Sequence, residues 1–340
     1  HRDLHSFPTR RSSNLHIGDR LGGTCLIRGC IPSKAIIHAA GQFEAMAKAA
    51  RAPQFGIALD VAPRIDFAAT TQWKDGVVDR LNGGVRSLLK KAKVRVVTGW
   101  AKFSDAKTCR VSAVEGDVVI SAEHVILATG STPIELPSLR FGGRVISSTE
   151  ALSLNELPRR LVVVGAGYIG LELGIAMRKL GVEVTVVEAQ QQILPLYDAK
   201  LVEPVRLWLE RNGVAVHLGA RVRGLDQSGA AVEVEAKDGG VFSLPADRVL
   251  VTIGRQPVVD GWGLEEMAIA MDGRFVRVDD RCATSTRNVW AIGDLVGEPM
   301  LAHKASAQGE MVAEIIAGKR RRFDPRAIDR KSTRLNSSHP

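Results

Sequence analysis

Aromatic residues make up only 5% of the 340 residues, and there are four cysteines in all. So few cysteines at this length exclude a secreted disulfide scaffold, and in the reducing cytoplasm that is then the default setting a disulfide would be catalytic rather than structural. No apolar run spans a bilayer: the longest, LVVVGAGYIGLELGIAM (161–177), is short and broken by Glu172 and by glycines. The N-terminus lacks the apolar core of a secretory signal. With 45% hydrophobic and 24% charged residues the chain is ordinary globular material, long enough for two domains with a core each.

A basic body is also missing, although the net charge is +9. Residues 1–16 hold three Arg against one Asp, and 319–340 hold eight Lys/Arg against two Asp, which leaves +1 for everything between. A groove tracking phosphates would need basic residues interleaved with aromatics on a folded face, so nucleic acid is excluded as a partner. The two ends also lack apolar periodicity. HSFPTRRSSNL (5–15) and DRKSTRLNSSH (329–339) each resemble the conceptual translation of a short-read sequencing adapter, Asn14 being the one departure. The expectation is that 1–16 and 329–340 are non-native tails.

Between them, strands alternate with helices. AIIHAAGQFEAMAKAA (35–50) and VVDRLNGGVRSLLKKA (77–92) have amphipathic spacing, while VRVVTG (94–99), HVILATG (124–130), VAVHL (214–218), RVLVTIG (248–254) and NVWAIG (288–293) read as short strands. SSTEAL (147–152) reads as a linker. The expected class is α/β, a parallel sheet with helices on its faces. HVILATGSTP and RVLVTIGRQP echo each other, which points to two related nucleotide-binding units.

A cofactor signature follows the strand LVVV: Gly165-Ala166-Gly167-Tyr168-Ile169-Gly170, opening the helical run YIGLELGIAMRKLG. Gly165 serves the tight turn, Gly167 the close approach of backbone to a pyrophosphate and Gly170 helix–strand packing, with the helix N-terminus facing the anion. The next strand, EVTVVE, ends at Glu188, where a carboxylate would accept from the adenosine ribose and repel a 2′-phosphate, so NAD is expected over NADP.

The other signature is LGGTCLIRGCIPSK, with Cys25 and Cys30 five positions apart before a helix. On a regular helix that spacing turns through about 500° and rises about 7.5 Å, beyond the roughly 7 Å limit for a disulfide. Bonding them requires a distorted helix start, for which Gly29 and Pro32 are the candidates. Zinc would need two further ligands, and Cys109 and Cys282 stand alone, so no metal site is expected. A pair of inert buried thiols is the third alternative.

LGGTC-x4-C-IPSK, ATGS, VVVGAGYIGLE, NVWAIGD and PMLAHKASAQGE, in this order over residues 17–323, resemble the flavin disulfide oxidoreductases, the class I pyridine nucleotide-disulfide enzymes. The resemblance implies two Rossmann-like domains, with an NAD-binding domain (147–273) inserted in a discontinuous FAD-binding one (17–146 and 274–328). It implies that Cys25 exchanges with the substrate disulfide and Cys30 faces the flavin. Lys34 would provide a cation beside the dithiol and flavin, and Glu172 would pair with it. FAD would be held by Lys34, Ala101, Ala128, Thr129, Gly130, Ser131, Asp294, Leu301, Ala302 and His303. NAD would be held by the 165–170 loop, Glu188, Val222 and Gly254. The branch most resembled oxidises protein-bound dihydrolipoyl groups with NAD; its partners are a lipoyl domain of a 2-oxo acid dehydrogenase complex, the branched-chain form being the nearest match, and a second copy of itself. His303 is not expected to be catalytic, since the family's base is a histidine of a C-terminal dimerisation domain, and His38, His124 and His217 are expected to be structural.

Two features depart from that pattern. Family members carry a first FAD loop upstream of the cysteines and a dimerisation domain downstream. The expectation is therefore a fragment, poorly soluble or flavin-free and inactive as written, whose 147–273 segment folds by itself, is soluble and binds NADH weakly. Ile27-Arg28 also replaces the commoner Asn-Val; Arg28 either lowers a thiolate pKa or faces solvent. Glutathione and mercuric reductases are rivals within the class, the first reading a 2′-phosphate with arginines where this chain has Glu188-Ala189-Gln190. A non-catalytic NAD-binding redox protein is a rival outside it, opposed by Cys25, Cys30 and Lys34.

Overall fold

A computed structural model describes residues 20–52, 56–113, 115–326 and 328; the tails expected at 1–16 and 329–340 lie outside these. The chain divides into two compact units. One draws on the segment up to Cys25, on Asn82–Thr132 and on the chain from Arg255 onward; the other on Leu26–Leu81 and Pro133–Gly254. The expected boundaries at 147 and 273 divide the chain by cofactor, whereas these units divide it by packing.

The second unit is built on a five-stranded parallel sheet in the order Val145–Ile146, Arg248–Val251, Arg160–Val164, Glu183–Glu188, Ala215–Leu218. Its central strand shows why the sequence reads as a continuous apolar run: side chains alternate between faces, and both faces are covered. Leu161 and Val163 enter one core with Leu171, Leu173 and Met177 of the helix Tyr168–Lys179, and with Ile36 and Ala40 of the helix Cys30–Arg51. Val162 and Val164 enter another core with Val232 and Val234. That second face corrects the expectation of helices on both faces. It is covered by an antiparallel sheet of Arg221–Leu225, Ala231–Glu235 and Val241–Pro245, whose short alternating strands were not anticipated.

The segment 147–152 is not a linker. Ser147 caps the helix Ser148–Ala151 by accepting from the Thr149 amide, and the Glu150 carboxylate accepts in return from the Ser147 amide at 2.8 Å. A capping box of this kind is worth about 1 kcal/mol. The buried Lys74 and Thr71 of the helix Phe67–Lys91 donate to the carbonyls of Leu152 and Leu154, so this stretch is tied down on both sides.

In the first unit the residues 94–98 expected as a strand are irregular, and the strand begins at Trp100. Trp100–Phe103, Thr108–Ala113 and Gly116–Ser121 form an antiparallel sheet. Val125–Leu127 pairs in parallel with Val289–Ala291, with Leu127 opposite Ala291, and both of these are fully buried. Immediately after that pair come the 3-10 turn Gly293–Val296 and the helix Ala302–Ile316.

Candidate functional site

The two cysteines do not share a helix. Cys25 lies in the short helix Gly23–Arg28 and Cys30 opens the helix Cys30–Arg51, with Gly29 between them at φ −138°, ψ −112°. That break removes the five-residue helical spacing that would hold the sulfurs apart, and Cys25 and Cys30 are disulfide-bonded. Gly29 makes the break, while Pro32 sits within the first turn of the second helix. Cys25 is half-buried and Cys30 exposed at the helix N-terminus, an end that favours an anion such as a thiolate.

One turn into that helix, Lys34 Nζ donates to both oxygens of Glu172, at 2.8 and 2.7 Å. Glu172 reaches it from the helix Tyr168–Lys179, so the carboxylate on an otherwise apolar helix has its partner. Both side chains keep partial access to solvent, 21% and 36%. This is a charge-assisted, doubly bonded contact at a site neither dry nor fully wet.

At the start of the Tyr168–Lys179 helix the three loop glycines differ in kind. Gly165 has φ +97°, and a Cβ there would stand 2.7 Å from the Thr252 carbonyl; at Gly170 it would stand 2.4 Å from the Gly165 carbonyl and from Thr252 Oγ1. A Cβ on Gly167 would meet nothing within 4 Å. Gly167 is also the N-cap and offers no side-chain cap, so the helix end presents backbone donors. Such an end, open only at Gly167, fits a pyrophosphate.

Glu188 is buried, at 8% exposure, and both of its carboxylate oxygens are engaged by backbone amides. Its Oε2 accepts from the Ala166 amide at 2.6 Å and its Oε1 from the Gln190 amide at 2.8 Å. Of the other residues expected at NAD, Tyr168 and Gly254 are exposed, while Ile169 and Val222 are half-buried.

In the first unit, Thr129 Oγ1 donates to the Val258 carbonyl at 2.8 Å, and Ser131 Oγ lies 2.5 Å from Asp294 Oδ2. Gly130 has φ +73°. Ala101 is buried, Leu301 half-buried, and Ala128, Ala302 and His303 are exposed. A family model described as pyridine nucleotide-disulphide oxidoreductase matches residues 9–309. The chain belongs to that family.

Dihydrolipoyl dehydrogenase of Pseudomonas aeruginosa is 57% identical over 312 residues, which cover 92% of this chain and 67% of that protein. The Geobacillus stearothermophilus enzyme of the same name is 43% identical, over 91% of this chain and 64% of its own length. Among solved structures, LpdA from Mycobacterium tuberculosis superposes with a TM-score of 0.78 at 28% identity, covering 88% of this chain and 65% of that one. The flavoprotein disulfide reductase RclA from Escherichia coli gives 0.75 at 27%, covering 90% and 66%. This oxidoreductase chain therefore spans about two thirds of the length of the relatives it matches.

Sequence reasoning missed three side chains at the Asp294 end of this oxidoreductase: Arg255, Lys304 and Gln308. Arg255 had a signal, since it occupies in IGRQP the place that Ser131 occupies in TGSTP, and the two residues are in contact. Lys304 and Gln308 had none beyond lying in the HKASAQ stretch. The histidines set aside are packed against rings: His124 lies 5.3 Å from Trp290 and His217 lies 4.9 Å from Phe242, centroid to centroid, with burial pushing the His217 imidazole below its ordinary pKa. Among the described residues no cluster of side chains could hold a metal, and no helix is long and apolar enough to cross a membrane.

Proposed function

We propose that this chain carries the dithiol and the nucleotide-binding segments of a dihydrolipoyl dehydrogenase, which oxidises a protein-bound dihydrolipoyl group with reduction of NAD. The observation that carries the reading is the disulfide-bonded Cys25 and Cys30 at a helix start, one turn before a Lys34 held by Glu172. In the oxidative direction a substrate thiolate attacks Cys25 and expels Cys30 as thiolate. The second substrate thiolate then displaces Cys25 from the mixed disulfide, so lipoamide and the reduced cysteine pair are the products, and the two protons of the substrate thiols pass to the cysteine sulfurs or, for a sulfur that stays a thiolate, to solvent. A cation one turn from Cys30 stabilises the expelled thiolate. FAD, when bound, takes the electron pair from the dithiol and passes it to NAD. Segments 17–146 and 274–328 are assigned to FAD, with Thr129, Ser131 and Asp294 as polar partners and Ala101, Ala128, Gly130, Leu301, Ala302 and His303 along it. Segment 147–273 is assigned to NAD. The partners of the intact enzyme are a lipoyl domain of a 2-oxo acid dehydrogenase complex and a second copy of that enzyme.

Thiol counting tests the reading without flavin. The oxidised chain, treated with dihydrolipoamide and desalted, gains two reactive thiols, whereas Cys25→Ser shows one from the outset and gains none. Cys109 and Cys282 stay silent until the chain unfolds, because burial raises the first thiol, and burial with the Asp279 charge pushes the second up to about 11. Equally fast reduction by glutathione at the same thiol concentration would count against a dihydrolipoyl substrate.

Nicotinamide choice follows from Glu188. The wild-type chain should bind NADH in strong preference to NADPH. Glu188→Ala should narrow the gap chiefly by weakening NADH about tenfold, the worth of a charge-assisted hydrogen bond. The substitution removes the repulsion of a 2′-phosphate, but it also strips the acceptor from the Ala166 and Gln190 amides. Equal affinity for NADH and NADPH in wild type would refute the role.

A further inference from the structure

Asp294 stands at the end of a directed hydrogen-bond chain. Arg255 Nε donates to Ser131 Oγ at 2.7 Å and its Nη2 donates to the Ser131 carbonyl at 2.6 Å. A guanidinium has no acceptor, so Ser131 Oγ receives from Arg255 and its own proton has one place to go, Asp294 Oδ2. Ser131 is 2% exposed, so water does not compete for that proton. With Oδ2 committed, Oδ1 is the oxygen left with full acceptor capacity; among the described residues it has no hydrogen-bond partner.

The backbone that carries Asp294 is held from the other side. Lys304 and Gln308 lie one helical turn apart on the helix Ala302–Ile316, so they project from one face. Both are buried. Lys304 Nζ donates to the Gly297 carbonyl, and Gln308 Oε1 accepts from the Gly293 amide at 2.8 Å. The two bonds grip both ends of the turn Gly293–Val296, of which Asp294 is the second residue. A buried ammonium is costly, and burial holds Lys304 below the ordinary lysine pKa, the Asp294 and Glu298 charges offsetting that cost only in part.

We propose that Arg255 and Lys304 are positioning residues that hold Asp294 as the acceptor for a hydroxyl chain, the ribityl group of a flavin. The proposal rests on the FAD reading above. In the full-length enzyme that carries the first FAD loop, FAD followed by flavin fluorescence should bind about tenfold or more weakly to Arg255→Met and to Lys304→Met, each having lost a bond from a charged donor. Arg255→Lys, which keeps one donor and a milder fit, should fall between. Arg255→Met should add less loss in an Asp294→Asn background than it causes alone, because part of its effect runs through that carboxylate. Unchanged affinity in the single variants, or full additivity, would overturn the proposal. A wild-type full-length enzyme that takes up no FAD removes the flavin reading by itself, and in the 340-residue chain thermal unfolding without ligand decides the relay. Arg255→Met and Asp294→Asn must be non-additive in Tm with Ser131 present and additive in Ser131→Ala; additivity in both backgrounds overturns it.

Discussion

Cys25→Ser and Cys30→Ser will each reduce dihydrolipoamide-driven NAD reduction by the full-length, FAD-loaded enzyme about 10⁴-fold or more, since each removes a sulfur that must both form and break a bond. The two variants differ in a second measurement. Only Cys25→Ser keeps a thiol at position 30, so only it should show a long-wavelength charge-transfer absorbance with the flavin. In that variant Lys34→Met should shift the appearance of the band to higher pH: the cation that favours the thiolate is gone, and Glu172 is left without the donor it now holds through both oxygens. A wild-type rate in either cysteine variant would remove the dithiol from the mechanism. A charge-transfer band in Cys30→Ser instead would exchange the roles of the two sulfurs.

Gly170→Ala and Gly167→Ala, three residues apart, are expected to fail in opposite ways. At Gly170 alanine gains about 1 kcal/mol of helix propensity. The added carbon would nevertheless stand 2.4 Å from the Gly165 carbonyl, a backbone atom that cannot swing aside. Forcing such an overlap costs up to about 3 kcal/mol, so the clash wins and Tm falls by several degrees. At Gly167 the carbon meets nothing and φ is −74°, ordinary for alanine, so stability falls by no more than the few tenths to about 1 kcal/mol of a lost N-cap glycine and Tm moves little. NADH binding is what Gly167→Ala should lose, by about tenfold or more, because the methyl occupies the space through which a pyrophosphate reaches the helix amides. Differential scanning fluorimetry and NADH fluorescence, read on the same samples, separate the two. An undiminished NADH affinity in Gly167→Ala would place the pyrophosphate elsewhere.

What was legible in the sequence was local. The βαβ unit around 161–187, the glycine loop, the acidic strand end at Glu188 and the cysteine pair before a helix are each written within a few turns of chain, where 3.6- and 2-residue periods and turn chemistry act directly. The distorted helix start required for a Cys25–Cys30 bond could also be read, since Gly29 stands between the cysteines, although spacing alone left zinc and free thiols open. The tertiary structure decided everything that depends on which strands become neighbours. Ser131 and Asp294 are 163 residues apart and Ser131 and Arg255 124, and no periodicity relates them; the Lys34–Glu172 pair, 138 residues apart, was expected from the family resemblance and not from any pattern in the chain. It also decided that 147–152 is a capped helix tied to Lys74 and Thr71, and that an antiparallel sheet covers one face of the parallel one. The physical reason is common to all of these. A buried polar group must find a partner wherever the fold offers one, and sheet order, set by burial of both strand faces, determines which distant side chain arrives.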